Sequence, residues 1–549
     1  MWPHARCLLR SPQHVERKRQ ALGAAGWRGG DPPRPRYSAR LLLARGGGRA
    51  GCRSQVAGCG RSIERGVRAL ESELRTSNLE SRTALTGKRV VILGLARQGV
   101  ALARFLVQAG AEVTVSDLQD ESVLADRLAE LADLPIRYVL GGHPKSLLKG
   151  TDLVCLSGGV PLDAPIVVEA LRLGIPLSND ALLFLERCPA PVLGITGSAG
   201  KTTTTALVGD MCRAAGFTTW VGGNIGNPLI ADLNRIGSED RVVMELSSFQ
   251  LEIMTVSPHI AAVLNITPNH LDRHKTMENY IAAKRAIVAY QGPQDYAILS
   301  FDDARARALA LETQARLVFF SGGAEVDEGA YKTDGELALR LGGTNTLICR
   351  AAEIRLRGHH NLLNVLAACA ICGVAGVPVE AMREAIHSFT GVEHRLEWVR
   401  EWRGVQWYDD SIATAPERVV AALRSFKEPI ILLAGGRDKD LPWGDFAAEA
   451  VARARCLIAF GEAGRMIAQV VEERQVAAPL SPPRGGTRGG RLEGITQVQT
   501  LAEAVEAAVR VARPGDVVLL SPGGTSFDAF RDFAERGDRF KELVWALKE

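Results

Sequence analysis

Short apolar runs alternate with amphipathic stretches along the chain from residue 87 onward. The run KRVVILGL has the continuous apolar character of a buried parallel strand, and the helical periodicity of ARQGVALARFLVQAG predicts a helix that stops at Gly110. A second predicted strand, AEVTVSD, ends at Asp117. Strand, glycine-containing turn, helix and strand in this order are typical of a nucleotide-binding fold. The acid lies about 20 residues after the turn, where such folds place a ribose-binding carboxylate.

The glycine pattern of this first turn is incomplete. Gly94 and Gly99 are present, but Ala96 occupies the middle glycine position of the dinucleotide fingerprint. A Rossmann-like unit that does not bind NAD is therefore at least as well supported as a dinucleotide site. A second glycine-rich loop, 157–161, follows the predicted strand at DLVCL, where it would form a cradle for a diphosphate or uracil. The alternative is a simple connection between two elements.

The strongest local signal is a glycine-rich loop between the predicted strand APVLGIT and a predicted helix. Its residues are Gly197, Ser198, Ala199, Gly200, Lys201, Thr202 and Thr203. Backbone N–H groups of such a loop surround a polyphosphate, the lysine reaches its β and γ phosphates, and the first threonine supplies a hydroxyl to Mg²⁺. Ile195 lies where the common phosphate-binding loop begins with glycine, so this loop is tighter.

Polar residues follow two further predicted strands and begin one predicted helix. The strand VVME ends at Glu245, and a carboxylate at a strand end beside a phosphate loop suits Mg²⁺, which prefers oxygen ligands. The strand AAVLN ends at Asn265 and leads into a loop with His270. Asn361 and Asn364 are three residues apart at a helix start, where they predict nucleotide contacts; helix capping by Asn361 is compatible with that role.

The C-terminal third repeats the strand, glycine-rich loop and helix pattern at PIILLAGGRDKD and at GDVVLLSPGGTSFDAF. This alternation predicts another small parallel sheet with functional loops at its carboxyl edge. We therefore predict an α/β protein with a Rossmann-like first domain, a central domain like those of phosphate-loop ATPases with a mainly parallel sheet, and a Rossmann-like third domain. The predicted boundaries are an extension at 1–83 and domains at 84–189, 190–391 and 392–549.

Most of the positive charge lies near the N-terminus. The 549-residue chain has a net charge of +4, but residues 1–80 carry 16 Lys and Arg against 6 Asp and Glu, which leaves a net charge of −6 for the rest. Three interpretations stay open for this Arg- and Gly-rich segment: a start codon assigned too early, a disordered tail, or a transit peptide. None of them gives the segment a catalytic role.

Cysteine, apolar and aromatic content exclude several classes of protein. The ten cysteines show no disulfide-scaffold spacing, and Cys369 and Cys372 lie in an apolar run that predicts a buried helix rather than a metal or redox pair. Uninterrupted apolar runs fall short of the roughly 18 residues of a membrane span. Aromatic residues make up only 5%, which argues against an aromatic-rich nucleic-acid surface. We expect a cytoplasmic monomer that binds neither membranes nor nucleic acid.

The motifs from residue 85 to 549 together resemble the Mur ligase family. The tight phosphate loop and the segments ELSSFQ and HNLLN carry the resemblance to the family as a whole. GLARQG, HRLE and SPGGTSFDAFRDFAERG resemble its D-glutamate-adding branch. The Asp-Asn-Pro-Arg signature of the branch that adds diaminopimelate or lysine is absent from the sequence.

The resemblance implies an ATP-dependent amide ligase whose cofactors are ATP and two Mg²⁺ ions. The L-alanyl carboxylate of UDP-N-acetylmuramoyl-L-alanine would attack the γ-phosphate of ATP, and the amine of D-glutamate would then attack the acyl phosphate. It also implies that Lys284 is carbamylated, which turns a cation into an anionic metal ligand. An exposed helix lysine is the alternative interpretation of that residue.

The motifs and the resemblance together give a set of candidate residues for each ligand. Catalytic roles fall to Lys201, Glu245, His270 and Lys284, and metal ligation to Thr202, Glu245, His270 and Lys284. The ATP contacts are Gly197, Ser198, Ala199, Gly200, Lys201, Thr202, Thr203, Asn361, Asn364, Arg395 and Asp410. Contacts of the UDP substrate are Gly94, Leu95, Ala96, Asp117, Ser157, Gly158, Gly159 and Asn224, and those of D-glutamate are Thr414, Lys439, Ser526 and Phe533.

Three features depart from the family pattern. Ile412 replaces a lysine that the family often has, which removes a positive charge near the site, and Asp440 replaces a usual glycine. Residues 479–490 predict a flexible surface insertion. Two alternatives to the D-glutamate ligase follow: a relative that adds another amino acid, and a nucleotide-binding protein with a degraded site. A dehydrogenase would leave the phosphate loop unexplained.

Overall fold

The computed structural model describes residues 85–356, 358–439, 441–477 and 492–548. The predicted N-terminal extension, the predicted insertion at 479–490 and Asp440 lie outside the described residues. In chain order the strands are β1 (Arg89–Leu93), β2 (Glu112–Ser116), β3 (Arg137–Val139), β4 (Leu153–Leu156), β5 (Leu177–Ser178), β6 (Val192–Thr196), β7 (Thr219–Gly223), β8 (Arg241–Glu245), β9 (Ile260–Val263), β10 (Tyr296–Ser300), β11 (Arg316–Ser321), β12 (Gly329–Thr333), β13 (Glu336–Leu341), β14 (Thr344–Arg350), β15 (Glu397–Trp402), β16 (Val405–Asp409), β17 (Ile430–Gly435), β18 (Ala454–Phe460), β19 (Gly494–Gln497) and β20 (Val517–Gly523).

Helices separate most of these strands. They are α1 (Arg97–Gln108), α2 (Ala125–Glu130), α3 (Pro165–Arg172), α4 (Asp180–Leu185), α5 (Lys201–Ala214), α6 (Ser248–Leu251), α7 (Leu271–His274), α8 (Met277–Ala289), α9 (Ala304–Ala308), α10 (His359–Val374), α11 (Val379–Ser388), α12 (Pro416–Leu423), α13 (Gly444–Arg453), α14 (Gly464–Ala477), α15 (Leu501–Val511) and α16 (Phe533–Trp545). Short 3₁₀ helices lie at Lys145–Leu148, Leu229–Ala231, Leu233–Arg235, Leu309–Leu311 and Ala351–Glu353.

The described chain divides into two compact units, of which the first holds residues 85–198 and 217–319. Its first sheet has the strand order β3-β2-β1-β4-β5, and every pairing in it is parallel. The inner strands are apolar because helices cover both faces of a parallel sheet. This sheet confirms the strand, helix and strand predicted from the sequence, with α1 ending two residues before Gly110.

A second parallel array in the first unit runs in the order β10-β9-β6-β8-β7. All five residues of β6 are buried, as its uninterrupted apolar sequence predicts. Parallel strands point their carboxyl ends to one edge, so β6, β8 and β9 bring the residues after Thr196, Glu245 and Val263 to the same side. The predicted mainly parallel sheet is confirmed here.

The second unit holds residues 199–216 and the described residues from 320 onward. Its largest sheet has the order β15-β16-β20-β17-β18-β19. Four of the five pairings are parallel, whereas β15 pairs antiparallel with β16 at the edge. The sequence analysis predicted only parallel strands there. The two strands are joined by a tight turn at Arg403 and Gly404, which allows antiparallel pairing without a crossover helix.

Two hairpins and a buried helix complete the second unit. β12, β13 and β14 pair antiparallel in succession, an arrangement for which the sequence analysis made no prediction. The helix α10 packs closely on them, since a Cβ added at Gly373 would lie 2.7 Å from a methyl group of Leu339. Cys369 and Cys372 are fully buried free thiols in α10, which confirms the buried-helix interpretation. Among the described residues, no helix combines the length and apolarity of a membrane span.

One aromatic contact in the core of the C-terminal domain joins α16 to the sheet. Phe540 of α16 and Trp407 of β16 are fully buried, with ring centroids 6.1 Å apart. We expect Phe540→Ala to lower the free energy of unfolding by about 3–5 kcal/mol, because the ring leaves a cavity that the sheet cannot fill. Urea unfolding followed by tryptophan fluorescence measures this. Val476→Ala, at a side chain that is 87% exposed, serves as the control and should cost less than about 0.5 kcal/mol. Equal effects of the two substitutions would contradict the prediction.

Candidate active site

The first half of the phosphate loop is fixed by hydrogen bonds of Ser198. Its Oγ donates to the carbonyl oxygen of Thr267 at 2.9 Å and lies 2.9 Å from the hydroxyl of Tyr280. The backbone N–H of Thr267 donates back to the same Oγ, and the N–H of Ser198 donates to Asn265. These bonds fix the path of the loop where it leaves β6. The short connection from β6 to α5 agrees with the tight loop that the spacing of its residues predicts.

The second half of the loop ends at Gly200, the residue before α5. Its φ is +83°, a conformation that strains any residue with a Cβ. An added Cβ would overlap the Oδ1 atom of Asn364, which is buried on α10. Asn364 also donates from Nδ2 to Oδ1 of Asn361 at 3.1 Å. The structure thus brings Gly200 together with both predicted nucleotide-contacting asparagines.

The carboxylate of Glu245 lies at the end of β8 and is 1% exposed. Asn224 Nδ2 donates to Oε1 of this carboxylate at 2.8 Å, and the backbone N–H of Asn224 donates to the main-chain carbonyl of Glu245 at 2.9 Å. A buried carboxylate is stable only with such donors or with a cation. Asn224, predicted to bind the UDP substrate, is therefore also a partner of the predicted metal ligand.

Lys284 is buried on α8 and reaches back to the base of the phosphate loop. Its Nζ donates to Oγ1 of Thr196 at 3.2 Å and to the carbonyl of Gly197 at 3.0 Å, and it lies 4.9 Å from the ring centre of Tyr280. Only 1% of the residue is exposed. The alternative interpretation of Lys284 as an exposed helix lysine is therefore wrong.

His270 directly precedes the four-residue helix α7 and has a left-handed conformation with φ +53°. Its ring centre is 5.1 Å from that of Phe249, which in turn stacks on His274 at 5.3 Å. His274 is buried between Glu252, 3.1 Å from Nδ1, and Ser248, 2.9 Å from Nε2. Sequence reasoning singled out His270 and missed His274. The only available signal was their shared segment NHLDRH, because burial of one histidine and not the other is a tertiary property.

The predicted UDP-substrate loops meet at the carboxyl edge of the first sheet. An added Cβ at Gly94 would lie 2.8 Å from Cβ of Ser157, so the loops after β1 and β4 touch. Asp117, just after β2, accepts hydrogen bonds from the backbone N–H groups of Leu95 at 2.6 Å and Gln119 at 2.9 Å. Its carboxylate fastens the first turn in addition to any contact with a ligand.

Three loops of the C-terminal sheet converge on a buried arginine that sequence reasoning missed. Arg536 of α16 donates to Oγ of Ser411 at 3.0 Å, to the carbonyl of Ser411 at 2.9 Å and to the carbonyl of Gly524 at 3.2 Å. An added Cβ at Gly436 would lie 2.9 Å from its Nη1. Burial lowers the pKa of Arg536 to about 10. Arg536 lies within SPGGTSFDAFRDFAERG, but the motif does not single it out, because its contacts with Ser411 and Gly436 arise only in the folded chain.

The predicted D-glutamate residues lie around these loops. Lys439 is exposed and donates from Nζ to Oγ1 of Thr414 at 3.4 Å, so the structure brings these two together. Ser526 is buried at the start of the turn before α16. Phe533 begins α16, and its ring meets the ring of His394 edge-on at 6.1 Å. Arg395 is half-buried and follows His394 in the same turn.

Two adjacent buried carboxylates end β16. Asp409 lies 2.7 Å from Nδ1 of His394. Burial disfavours the imidazolium, but the hydrogen bond and charge of Asp409 outweigh it and raise the pKa of His394. Asp410 accepts from Oγ of Ser521 at 2.8 Å and from the N–H of Leu396 at 3.2 Å. Burial nevertheless raises the pKa of Asp410 to about 7.

Family models match three successive stretches of the chain. The MurD-like N-terminal domain of Mur ligases matches residues 88–179, the Mur ligase middle domain 195–372, and the Mur ligase glutamate ligase domain 394–524. A UDP-N-acetylmuramoylalanine–D-glutamate ligase of Symbiobacterium thermophilum is 45% identical over 462 residues, covering 84% of this chain and 98% of that protein. The chain belongs to the Mur ligase family.

Further Mur ligases agree with this membership. A protein of the same name from Pelotomaculum thermopropionicum is 41% identical over 465 residues, covering 84% of this chain and 99% of its own length. Among solved structures, a crystal structure of MurF from Acinetobacter baumannii superposes with a TM-score of 0.50 at 19% identity, covering 82% of this chain and 93% of that one. The likeness to MurF concerns the fold alone. The sequence matches confirm the resemblance to the Mur ligase family that the motifs indicated.

Substitution of Gly200 tests whether the phosphate loop of this Mur ligase binds ATP. We expect Gly200→Ala to weaken ATP binding about a hundredfold or more, because the new Cβ both strains the turn and displaces Asn364. Calorimetric titration with ATP and Mg²⁺ measures the affinity. Gly216→Ala is the matched control, since Gly216 has φ +84° with open space around its Cβ position. It should cost only about 1 kcal/mol of stability. ATP affinities that agree between the two variants would contradict the prediction.

The raised pKa of Asp410 predicts a pH-dependent stability. Burial raises the pKa of Asp410 from its ordinary 3.8 to about 7, so the folded protein binds this proton more tightly than the unfolded chain does. The resulting stabilisation is fully present below about pH 4 and is lost as the pH rises through 7. Asp410→Asn removes the titration and keeps the shape. The variant should therefore gain stability over the parent by several degrees of Tm between pH 4 and pH 8. Thermal melts across this range measure the difference, and a pH-independent difference would exclude the effect.

Proposed function

We propose that this chain joins D-glutamate to UDP-N-acetylmuramoyl-L-alanine through an acyl phosphate, with the conversion of ATP to ADP and phosphate. The observation that carries the proposal is 45% identity, over 98% of its length, to a protein named UDP-N-acetylmuramoylalanine–D-glutamate ligase. The match of residues 88–179 to the MurD-like N-terminal domain supports the same branch. Such a ligase serves peptidoglycan precursor synthesis.

The first chemical step would transfer the γ-phosphoryl group of ATP to the L-alanyl carboxylate of the UDP substrate. Two anions approach each other, so the step depends on neutralising charge. Lys201 and the backbone N–H groups at the start of α5 supply donors and positive potential for the phosphates. We assign Gly197, Ser198, Ala199, Gly200, Thr202, Thr203, Asn361, Asn364, Arg395 and Asp410 to ATP binding.

The donor set fits Mg²⁺. We assign the ligands of two Mg²⁺ ions as the hydroxyl of Thr202, the carboxylate of Glu245, the imidazole of His270 and a carbamate on Lys284. When bound, Mg²⁺ supplies positive charge to the phosphate oxygens and to the transferring group. The buried position of Glu245, with Asn224 orienting one of its oxygens, supports this role. Carbamylation of Lys284 would replace its ammonium at the base of the loop by an anionic oxygen donor.

The second step would be attack of the D-glutamate amine on the acyl phosphate carbonyl, with phosphate as the leaving group. We assign Thr414, Lys439, Ser526 and Phe533 to the amino acid. Lys439 beside Thr414 offers an ammonium and a hydroxyl to a carboxylate of D-glutamate. For the UDP substrate we assign Gly94, Leu95, Ala96, Asp117, Ser157, Gly158, Gly159 and Asn224, whose loops meet at one sheet edge.

The proposal extends to the organisation of the protein. We propose domain boundaries at 84–189, 190–391 and 392–549, which the three family matches at 88–179, 195–372 and 394–524 support. We also propose a cytoplasmic monomer whose partners are small molecules, without membrane or nucleic-acid binding. The UDP substrate and ATP are both metabolites of the cytoplasm.

Release of ADP by the full chain tests the function. With ATP and Mg²⁺ present, we expect ADP to form only when UDP-N-acetylmuramoyl-L-alanine and D-glutamate are both added, and chelation of Mg²⁺ by EDTA to stop it. L-Alanine, diaminopimelate and D-alanyl-D-alanine in place of D-glutamate should give no ADP above background. ADP release with one of these amino acids and not with D-glutamate would assign the chain to another branch. ATP binding without any release would indicate a degraded site.

A further inference from the structure

Arg273 joins the helix of His270 to the glycine-rich loop at 157–161. Its guanidinium donates to three successive backbone carbonyls: Gly158 at 3.3 Å, Gly159 at 3.0 Å and Val160 at 2.7 Å. The side chain lies on α7, three residues after His270. The planar guanidinium spans this row with two separate nitrogens, Nη1 and Nη2, whereas a lysine offers a single nitrogen.

These bonds fix the direction of a peptide N–H group. In a trans peptide the C=O and the following N–H point in opposite directions. When the Gly158 carbonyl faces Arg273, the N–H of Gly159 therefore points away from it. The N–H of Val160 is used within the loop, where it donates to the carbonyl of Ser157 at 3.0 Å. The positive charge on the carbonyl side also polarises the peptide and strengthens its N–H as a donor.

The arginine itself is held rigidly. Its guanidinium carbon lies 4.5 Å from the ring centre of Phe249, and that ring stacks on His274 with planes 12° apart. The space left between Arg273, Phe249 and the loop is a cavity of about 10 Å³, enough for roughly one water molecule. Arg273 is half-buried, so its hydrogen bonds to the loop are partly shielded from water, and its charge makes them stronger than neutral ones.

We propose that Arg273 is a positioning residue for the UDP-bearing substrate. It holds the carbonyls of residues 158–160 so that the N–H of Gly159 faces the opposite side of the loop, where it donates to an oxygen of the substrate diphosphate. The inference rests on the proposed function, because that function supplies the UDP substrate. Arg273 acts through the loop and leaves the phosphate loop and the amino-acid loops unchanged.

The test compares Arg273→Met and Arg273→Lys with the parent enzyme. We expect Arg273→Met to raise the KM for UDP-N-acetylmuramoyl-L-alanine about tenfold or more, the loss that corresponds to one or two charge-assisted hydrogen bonds. The KM for D-glutamate should stay within about twofold. Arg273→Lys should recover part of the loss, since an ammonium retains charge but not the fork. Calorimetric titration of the UDP substrate without ATP should give the same rise in Kd.

Arg307→Met is the matched control. Arg307 likewise lies over an aromatic ring, 4.8 Å from the centre of Phe301, and donates to a backbone carbonyl at 2.9 Å. It belongs to α9 and has no part in the proposed site. The control should lower Tm as much as Arg273→Met does and leave every KM unchanged.

Each other outcome has a distinct meaning. If Arg273→Met binds the UDP substrate as tightly as the parent, the positioning role is wrong. If the KM values for the UDP substrate, D-glutamate and ATP rise together, Arg273 has only a general structural role and the proposal is also overturned. If the parent enzyme itself does not bind the UDP compound, the proposed function fails, and the variants play no part in that conclusion.

Discussion

The chemistry of this protein is organised around the places where buried parallel strands end. Inside a strand, the backbone polar groups pair with the neighbouring strands and the side chains are apolar, so nothing remains to bind a ligand. At the carboxyl end of β6, β8 and β16 the ladder stops, and the chain places Gly197, Glu245 and Asp410 there. The sheets therefore decide where polar side chains gather before any particular ligand is considered.

The loops at these ends are shaped by polar bonds within the protein rather than by apolar packing. Asn224 orients Glu245, Asp117 fastens the turn at Leu95, and Arg536 ties two loops of the C-terminal sheet together. Each of these partners is buried or half-buried, so breaking one bond leaves a polar group without its partner in a low dielectric. A site prepared in this way loses little further conformational freedom when a ligand arrives.

Sequence reasoning recovered the features that local rules govern. The apolar run of β6, the tight glycine loop and the buried α10 with Cys369 follow from periodicity and spacing alone. The antiparallel edge strand β15 did not, because its neighbour is chosen by a turn and not by its own composition. Arg536 was missed for a related reason, since it acts through hydrogen bonds to Gly524 and Ser411, which lie 12 and 125 residues away in the sequence. Burial of Lys284 likewise depends on tertiary packing, because α8 lies against the end of β6 and the start of the phosphate loop.

At Ile412 the loop keeps its backbone conformation but lacks the positive charge of the lysine that the family often has. The backbone frame of that loop is set by main-chain groups: the N–H of Ile412 donates to the carbonyl of His394 at 3.1 Å, and its carbonyl accepts from Arg418 at 3.2 Å. Neither bond involves the side chain at 412, so exchange of lysine for isoleucine leaves the frame intact and removes only a charge. The guanidinium of Arg418, in the first turn of α12, keeps a positive charge beside this loop. Because attraction between charges falls off more slowly with distance than a hydrogen bond does, we expect Arg418 to replace part of the attraction that a lysine at 412 would have for a bound phosphate. Loss of the lysine is therefore expected to alter the rate modestly and not to disable the site.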